Sequence, residues 1–457
     1  MSLAQTLQRL NHQPPDGAIL TFQLTDGTVM AQGFGDSDWW KLTPDNTGSY
    51  VNGTWTKLAT LPAGYVPDAF ASAVLADGRL VIVGGEYNNG NFTLTNLGAI
   101  YDPAVNKWTS VAPPANWSYI GDSPALVLPN GKFLVGNKLT KQMAALDPVT
   151  LTWQPVRSAG KSDFDAEEGW TLLPNGSILT SDVKHAPNSE IYSLSAGAWT
   201  SAGSTIVDLH SPSPFGCIPY GPNGTLCYYP PGEIGPAILR PDGTVFVTGS
   251  YTSNGSGAGH TAVFSPAIGW SVGPDFPNGD NAGDSFAVLL PSGNVLVEGG
   301  VASYEFDGTK LAPVPATPGC LMMLPNGQVL VGGTEVYIPA GTYSPAWAPT
   351  IRSAPTTVVR GSTYKIYGTQ FNGLSQAAAF GDEYETATNY PLVRITNNST
   401  GHVFYARTHN HSTMAVATGT KSVFTSFDVQ AGMETGASSL VVVANGIPSQ
   451  PVSITVN

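Results

Sequence analysis

The hydrophobic positions of this chain follow one phrase that recurs seven times. Each copy is an apolar run, a short turn ending in glycine and a second apolar run, as in SAVLADGRLVIVGG and AVLLPSGNVLVEGG. The runs hardly alternate between apolar and polar positions, which predicts strands buried on both faces. The Asp-Gly or Asn-Gly that joins most pairs predicts a hairpin with a two-residue turn, because glycine tolerates positive φ. The turn glycines are Gly27, Gly78, Gly131, Gly176, Gly243, Gly293 and Gly327.

The copies repeat about every 50 residues, and a tryptophan follows five of them. Each unit has room for four strands. One four-stranded sheet cannot bury both of its faces, whereas a ring of such sheets can. The pattern therefore predicts an all-β protein with a seven-bladed β-propeller over residues 1–346. The last copy is short, so either an N-terminal strand completes it or it stays incomplete. The tryptophans, which we expect to pack between blades, are Trp55, Trp108, Trp153, Trp199 and Trp270.

The Gly-Gly ends and the later tryptophans resemble the kelch-repeat family. Beyond the repeats, stretches such as TTVVRGSTYKIYGTQFNG predict an immunoglobulin-like β-sandwich over residues 347–457, without a Cys-Trp-Cys pattern. A kelch ring followed by such a domain resembles the galactose oxidase-like architecture. That resemblance implies a hairpin that enters the central channel and carries a histidine to a metal. RTHNHST stands at the corresponding place, which implies His409, with His411 on the same strand face.

Acids are concentrated at the predicted starts of the innermost strands, which line the channel of a propeller. The position nine residues before the turn glycine is an acid in three copies, and Asp68 and Glu233 stand one residue earlier in two others. Crowded carboxylates are either solvated or hold a cation, and added imidazole favours transition metals. The alternative is that the acids accept hydrogen bonds from loop amides and the histidines are polar hairpin residues. The candidate metal ligands are Asp122, Glu167, Asp284, His409 and His411.

The ligand set of the copper-radical enzymes of that family is missing. The resemblance implies a cysteine on one inner strand, a tyrosine on the next and a Tyr-His pair on the last. The corresponding stretches read DAFASAVLADG, GDSPALVLPNG and TPGCLMMLPNG, and none has the residues required there. Asp122 stands where the first tyrosine would be. A copper–tyrosyl radical cofactor is therefore not expected, and a divalent metal ion remains the open cofactor.

Composition and charge narrow the class of protein. A net charge of −13 and the lack of a basic run argue against nucleic-acid binding. No apolar stretch is long enough to span a bilayer, and the first residues lack the apolar segment of a signal peptide. Low charge with many Asn, Thr and Gly residues still favours a secreted, periplasmic or cell-surface location. Cys217 and Cys227 form a disulfide in an oxidising compartment or remain buried thiols.

The longest interval between repeats, between the fourth and fifth copies, predicts a long loop. Loops on a rigid scaffold often carry recognition residues. One hypothesis is a monomeric protein that binds a glycan or other polar, carbohydrate-like ligand at the channel mouth. The other is a divalent-metal-dependent enzyme on a carbohydrate-like substrate, in which His409 and channel acids hold the metal. The candidate ligand-binding residues are Asp68, Glu233, His210, Tyr228 and Tyr229.

Overall fold

The computed structural model describes residues 5–34, 37–213, 215–251 and 258–457. These residues are strands, turns and loops apart from three single-turn 3-10 helices, so the predicted all-β class is confirmed. The 3-10 helices are Pro222–Gly224, Pro277–Gly279 and Pro345–Trp347. None of the helices in the described ranges is long and apolar enough to cross a membrane.

Seven antiparallel sheets follow one another along the chain, each built around one copy of the repeated hairpin. We number them sheets 1 to 7 in chain order. Sheet 1 consists of Leu20–Gln23, Val29–Gln32, Trp39–Thr43 and Thr54–Lys57. Sheet 2 consists of Ala71–Val74, Leu80–Val83, Gly98–Asp102 and Lys107–Ser110. Sheet 3 consists of Ala125–Val127, Phe133–Gly136, Met143–Asp147 and Thr152–Val156. Sheet 4 consists of Thr171–Leu172, Ile178–Ser181, Asn188–Ser193 and Ala198–Ser204. Sheet 5 consists of Ala237–Leu239, Val245–Thr248, Thr261–Ser265 and Gly269–Val272. Sheet 6 consists of Ala287–Leu289, Val295–Glu298, Ser303–Phe306 and Leu311–Val314. Sheet 7 consists of Leu321–Met323, Val329–Val331, Glu335–Ile338 and Thr6–Arg9.

The N-terminal strand completes the last sheet. Thr6–Arg9 pairs antiparallel with Glu335–Ile338, which decides between the two alternatives left open by the sequence. Met322 of sheet 7 packs in one buried cluster with Val29 and Leu42 of sheet 1. The first and last sheets therefore bury their faces against each other, as the sheets of a β-propeller do.

The repeated hairpins differ from the predicted two-residue turn. In sheet 1 the Gly27 N–H donates to Leu24 O at 3.1 Å, while the Leu24 N–H donates to Thr28 O at 2.8 Å. These two hydrogen bonds enclose a loop of three residues, Thr25 to Gly27, and Gly27 lies in the left-handed region at φ 78°. The loop is thus a turn followed by a left-handed glycine, the usual three-residue hairpin. The Asp26 carboxylate accepts the Thr28 N–H at 3.0 Å, which explains the acid or amide before the glycine.

The predicted role of the tryptophans in packing between sheets is confirmed for the outer strands. The indole N–H of Trp108 in sheet 2 donates to the Ala59 carbonyl at the end of sheet 1. Trp153 of sheet 3 donates in the same way to Ala112, which follows sheet 2. Each indole therefore contacts the preceding unit through one hydrogen bond as well as through its ring, which is buried in Trp108 and partly buried in Trp153.

Two smaller strand elements rise from the loops near sheets 2 and 4. One consists of Pro67–Asp68, Tyr87–Asn88 and Asn91–Phe92. The other is the hairpin Ile218–Tyr220 with Leu226–Tyr228, and the Cys217–Cys227 disulfide closes it. The long loop predicted between the fourth and fifth copies therefore has its own covalent restraint.

The C-terminal strands form a separate β-structure with its own core. Most pair antiparallel, and Ile366, Phe427 and Val442 are buried together with other apolar residues of this part. Apart from Ala378–Ala379, which joins sheet 6, the strands are Thr350–Ser353, Thr357–Val358, Thr363–Thr369, Leu392–Asn397, Val403–His409, Val423–Asp428, Gly436–Ala444, Ile447–Pro448 and Val452–Val456.

This C-terminal part rests on the hairpin turns of the first sheets. The Thr408 N–H donates to Thr25 O and the His411 N–H to Ala76 O, both at 3.0 Å. Thr25 and Ala76 lie in the turns of sheets 1 and 2, where their innermost strands end. RTHNHST therefore lies at the turn end of these strands, opposite the end where they begin.

We expect Gly78→Ala to destabilise the protein more than Gly243→Ala. Both glycines have φ 84°, where a side chain costs about 1–2 kcal/mol. A Cβ at Gly243 would meet nothing within 4 Å, whereas at Gly78 it would lie 2.9 Å from Thr408 O. Denaturant unfolding of the two variants measures the difference. Equal losses would show that the C-terminal part does not press on this turn in solution.

Candidate functional site

One segment of the C-terminal part, residues 375–390, passes between the innermost strands of the sheets; we call it the channel segment. Its Ala378–Ala379 strand pairs with Ala287 and Val288 of sheet 6. The Glu385 carboxylate accepts the Ser72 N–H at 3.0 Å and the Ala125 N–H at 2.5 Å, in sheets 2 and 3. Contacts with inner strands on several sides place the segment on the axis of the ring.

Sheet 4 and sheet 1 make further contacts with the channel segment. Gln376 accepts the Leu172 N–H at 2.7 Å, and the Tyr390 hydroxyl donates to Gln23 O. Gly169 lies so close that a Cβ there would stand 2.0 Å from Gly381 O. The sequence needs glycine at position 169 because the two backbones touch there.

Aromatic packing fixes the tip of the channel segment. The Tyr384 ring contacts Phe70 edge-on at 5.2 Å between centroids, and Phe380 packs on Phe286 at 4.7 Å. Between these rings the chain carries Asp382 and Glu383, both buried. The apolar rings therefore hold two adjacent acids at the level where the inner strands begin.

The tip meets the acids of the inner strands in a buried group that we call the axial cluster. Donor atoms of Asp122, Glu167 and Asp382 all lie within 4.8 Å of one another. Lys138, fully buried, forms an ion pair with Asp122 and another with Glu167 at 2.6 Å. The Tyr228 hydroxyl donates to Glu167 at 2.8 Å, and its ring centroid lies 5.2 Å from the Lys138 ammonium.

Further acids surround the axial cluster. Burial, together with the nearby Glu167 charge, raises the pKa of Asp382 to about 7. Burial, then repulsion by Glu167 and Asp284, raises the pKa of Glu233 to about 11. The pKa of Lys138 is held well above its usual value by Asp122 and Glu167, which outweigh the effect of burial. The surrounding acids are Asp68, Glu86, Glu233, Asp284 and Glu383.

Two features of the axial cluster cost free energy. Among the described residues, Asp122 Oδ1 and Asp382 Oδ2 are buried without a hydrogen-bond partner. A buried, unpaired carboxylate oxygen loses its hydration without replacement. Glu167 and Asp284 also have left-handed backbones, at φ 58° and 47°. Such strained non-glycine residues are concentrated at functional sites.

The structure brings together part of the predicted site. Asp122 and Glu167 meet at the axis, and Asp284 stands beside them at the solvent-exposed mouth. Partial loss of hydration there, together with the Asp382 charge, raises the pKa of Asp284 to about 7. Asp68 accepts a hydrogen bond from the Tyr384 hydroxyl. Glu233 lies close enough to Asp284 for a hydrogen bond between the two carboxyl groups to lower the Asp284 pKa.

The three predicted residues of the long loop have different positions. Tyr228 is buried against Glu167, whereas Tyr229 is 65% exposed. His210 is paired with its neighbour Asp208, with Nδ1 2.5 Å from Oδ1. Only Tyr228 of the three contacts the axial cluster.

The expected meeting of His409 and His411 with these acids requires correction. His409 Nε2 lies 3.0 Å from Asp428 Oδ1, and His411 Nδ1 lies 2.8 Å from Thr425 Oγ1. Burial lowers the pKa of His411 to about 3, so this imidazole is neutral. Within the described part of the chain, neither histidine belongs to a group of three converging ligands. The reason is that RTHNHST lies at the turn ends of the inner strands, whereas the acids lie at their starts.

Sequence reasoning missed the residues that complete the axial cluster. Asp382 comes from the channel segment, and Lys138 follows the second strand of sheet 3. GDEYE, which contains Asp382, Glu383 and Glu385, is a dense acidic run in an otherwise apolar and polar-neutral stretch. That run was the available signal for a functional tip.

Comparison with known proteins supports the fold. No family model matches the chain. The kelch-like protein terF of Aspergillus terreus is 26% identical over 127 residues, 27% of this chain and 26% of its own length. Galactose oxidase of Gibberella zeae is 25% identical over 304 residues, 60% of this chain and 41% of its own length. The chain thus spans less than half the length of these curated relatives.

A solved structure covers the whole chain. It is a fungal alcohol oxidase of the AA5 family in complex with copper, with a TM-score of 0.50 and 13% identity over 100% of this chain and 99% of its own. Together these matches show a kelch/galactose oxidase-like β-propeller fold. The chain is distantly homologous to galactose oxidase and kelch proteins.

The residues present do not fit a copper-radical centre. With Cys217 and Cys227 joined, Cys320 is the one free cysteine, and its thiol lies 3.2 Å from the Thr21 hydroxyl. The axial cluster offers carboxylates, a phenol and an ammonium group, whereas copper favours imidazole and thiolate ligands. This set of oxygen donors suits a hard divalent cation.

Proposed function

We propose that this chain binds a polar, carbohydrate-like ligand at the channel mouth through a divalent cation, and that it is not a copper-radical oxidase. Asp122, Glu167 and Asp382 hold the cation. One observation carries the proposal: these buried carboxylates converge within 4.8 Å and face a single buried lysine. Crowded carboxylates of this kind need a compensating positive charge.

The formal charge of the axial cluster suits a divalent ion. Three carboxylates and the Lys138 ammonium leave a charge of −2, which one divalent cation neutralises. Calcium, magnesium and manganese favour carboxylate oxygens and accept hydroxyl oxygens as further ligands. A polyhydroxylated ligand can therefore complete the coordination shell of the ion.

The rim around the cluster supplies groups for the rest of the ligand. Asp284 is exposed at the mouth and can accept hydrogen bonds from hydroxyl groups. Tyr229 directly follows the hairpin that the Cys217–Cys227 disulfide closes; it is 65% exposed, and its ring can stack on a sugar face. Recognition by the loop and coordination at the axis would act on the same ligand.

The finer architecture and location are part of this proposal. The seven sheets form a seven-bladed propeller over residues 1–346, and residues 347–457 form an immunoglobulin-like sandwich. The separate C-terminal core and the contact between sheets 7 and 1 support that division. The Cys217–Cys227 disulfide supports an extracytoplasmic protein, because such bonds persist in oxidising compartments. A monomer that binds glycans and not nucleic acid fits the net charge of −13.

Asp382→Asn is expected to weaken cation binding at the axis by at least about tenfold, because it removes one charged ligand and leaves the volume unchanged. Calorimetric titration with Ca²⁺ measures this loss, and a glycan array with and without EDTA measures ligand binding. Asp275→Asn is the matched control, since Asp275 is a surface acid paired with His260. Glycan binding that survives both EDTA and Asp382→Asn would contradict a cation-bridged site.

Metal-dependent catalysis on the same class of ligand is a second candidate. Glu233 and Asp284 are neighbouring carboxyls with pKa values of about 11 and about 7. Groups separated in this way can divide the roles of acid and base at neutral pH. Incubating a bound glycan with wild-type protein and with Glu233→Gln, followed by mass spectrometry, tests for a product that only the wild type forms.

A further inference from the structure

A second buried acidic group lies in sheet 4, away from the axis. Its acids come from the loop that enters the sheet and from the sheet itself: Asp182 follows the strand Ile178–Ser181, and Glu190 lies on Asn188–Ser193. All five side chains are buried. We call this the sheet 4 cluster, and its acids are Asp163, Asp165, Glu168, Asp182 and Glu190.

Among the described residues, Lys161 is the one lysine or arginine that forms ion pairs with these five acids. The Lys161 ammonium contacts Asp163 at 3.1 Å and both Glu168 and Glu190 at 2.8 Å. Asp165 and Asp182 form no ion pair with it at contact distance. If all five acids are ionised, the cluster has an excess of negative charge far greater than Lys161 can balance.

The remaining carboxylate oxygens point to a missing ligand. Asp182 is 2% exposed, and within the described residues neither of its oxygens has a partner at hydrogen-bonding distance, although Ser162 lies near enough to favour the charged form. Asp163 Oδ2 is likewise buried without a hydrogen-bond partner. Buried polar atoms in proteins are nearly always paired, with protein, water or an ion.

An imidazole completes the group. One donor atom each from Asp163, Asp182 and His185 all lie within 4.8 Å of one another. His185 Nδ1 lies 3.7 Å from Asp163 Oδ2, and the His185 side chain is 45% exposed. The half-exposed imidazole provides an entry path from solvent to the two buried carboxylates.

We propose that Asp163, Asp182 and His185 bind a divalent cation at a site distinct from the axial cluster. Two carboxylates with one imidazole favour zinc or manganese over calcium. Asp165 and Glu168 surround the ligands and add negative charge. A cation there stabilises sheet 4 and the loop that leads to the axis.

The two clusters are separate although they meet in sequence. Glu167 faces the axis and pairs with Lys138 at 2.6 Å, whereas Glu168 faces sheet 4 and pairs with Lys161 at 2.8 Å. Removing a ligand of one cluster therefore leaves the ligands of the other in place. The test of the sheet 4 site uses this separation.

Zinc titration of EDTA-treated Asp382→Asn protein is expected to show one tight saturable site, because the substitution weakens cation binding at the axial cluster. Adding Asp182→Asn should remove this site, and adding His185→Gln should weaken it by at least about tenfold. His260→Gln is the matched control, because His260 is also paired with an aspartate but does not belong to a group of three converging ligands among the described residues.

The half-exposed His185 keeps the test valid if the Asp182 variant fails to fold. His185→Gln should keep its unfolding midpoint in EDTA and lose the stabilisation that zinc gives the parent protein. Absence of saturable zinc or manganese binding in the Asp382→Asn protein would overturn the proposal. Binding that is unchanged by His185→Gln would overturn it equally, whatever the result at the axis.

Discussion

Lys138→Met is expected to lower the free energy of unfolding at pH 8 by about 3–5 kcal/mol, the usual cost of removing one partner of a buried ion pair. Lys138 is fully buried and pairs with both Asp122 and Glu167. Methionine approximates the length of the side chain, so packing changes little while the charge is lost. Asp122 and Glu167 would then be buried close together without a counter-ion.

The loss should be smaller at pH 5 than at pH 8. Burial and neighbouring acids hold the pKa of Asp122 well above its usual value even with Lys138 present. Without the lysine, protonation of these acids at low pH becomes the remaining way to relieve their repulsion. Denaturant unfolding at both pH values measures the difference.

Lys57→Met is the matched control for this substitution. Lys57 lies 2.6 Å from Asp38, but its side chain is 51% exposed. Surface pairs of this kind contribute about 0–1 kcal/mol. A similar loss in both variants would show that the Lys138 network is solvated and does not hold the axial cluster together.

The repeat could be predicted because its signals are local. Gly27 and the six equivalent glycines mark turns through their own backbone requirement, and the tryptophans mark the outer strands. Counting back from the turns also located Asp122 and Glu167 near the starts of inner strands, and the structure has them in the loops just before Ala125–Val127 and Thr171–Leu172. Each of these inferences needs only a strand, a turn and a fixed spacing.

The residues that contact these acids could not be predicted from turns and strand spacing. Lys138 is 16 residues from Asp122 along the chain, and Asp382 reaches the axis only because residues 375–390 pass through the ring. The predicted shared strand face of His409 and His411 is wrong, because the strand Val403–His409 ends at the first histidine and Asn410 has a left-handed backbone. Strand alternation also cannot say which end of the ring this segment meets. The resemblance to galactose oxidase-like proteins implied that RTHNHST enters the channel, whereas the segment that enters it is residues 375–390.

In the absence of divalent cations, the protein is expected to lose stability as the pH rises from 5 to 8. The pKa of buried Asp382 is about 7, against an ordinary value of 3.8. An acid whose folded pKa is raised contributes stability below its unfolded pKa, and this is lost as pH passes through the folded value. A shift of this size corresponds to at most about 4 kcal/mol for one group.

A bound cation should reverse this dependence, because it favours the ionised carboxylates. Unfolding curves at pH 5, 6.5 and 8, with EDTA or with Ca²⁺, measure the slope, and Asp382→Asn should reduce the slope seen in EDTA. Asp307→Asn is the control, because hydrogen bonds from Thr309 hold the pKa of exposed Asp307 below its usual value and confine its effect to more acidic pH. A stability that is flat from pH 5 to 8 in EDTA would mean that the axial acids are hydrated, and their charges would then not need a cation to compensate for burial.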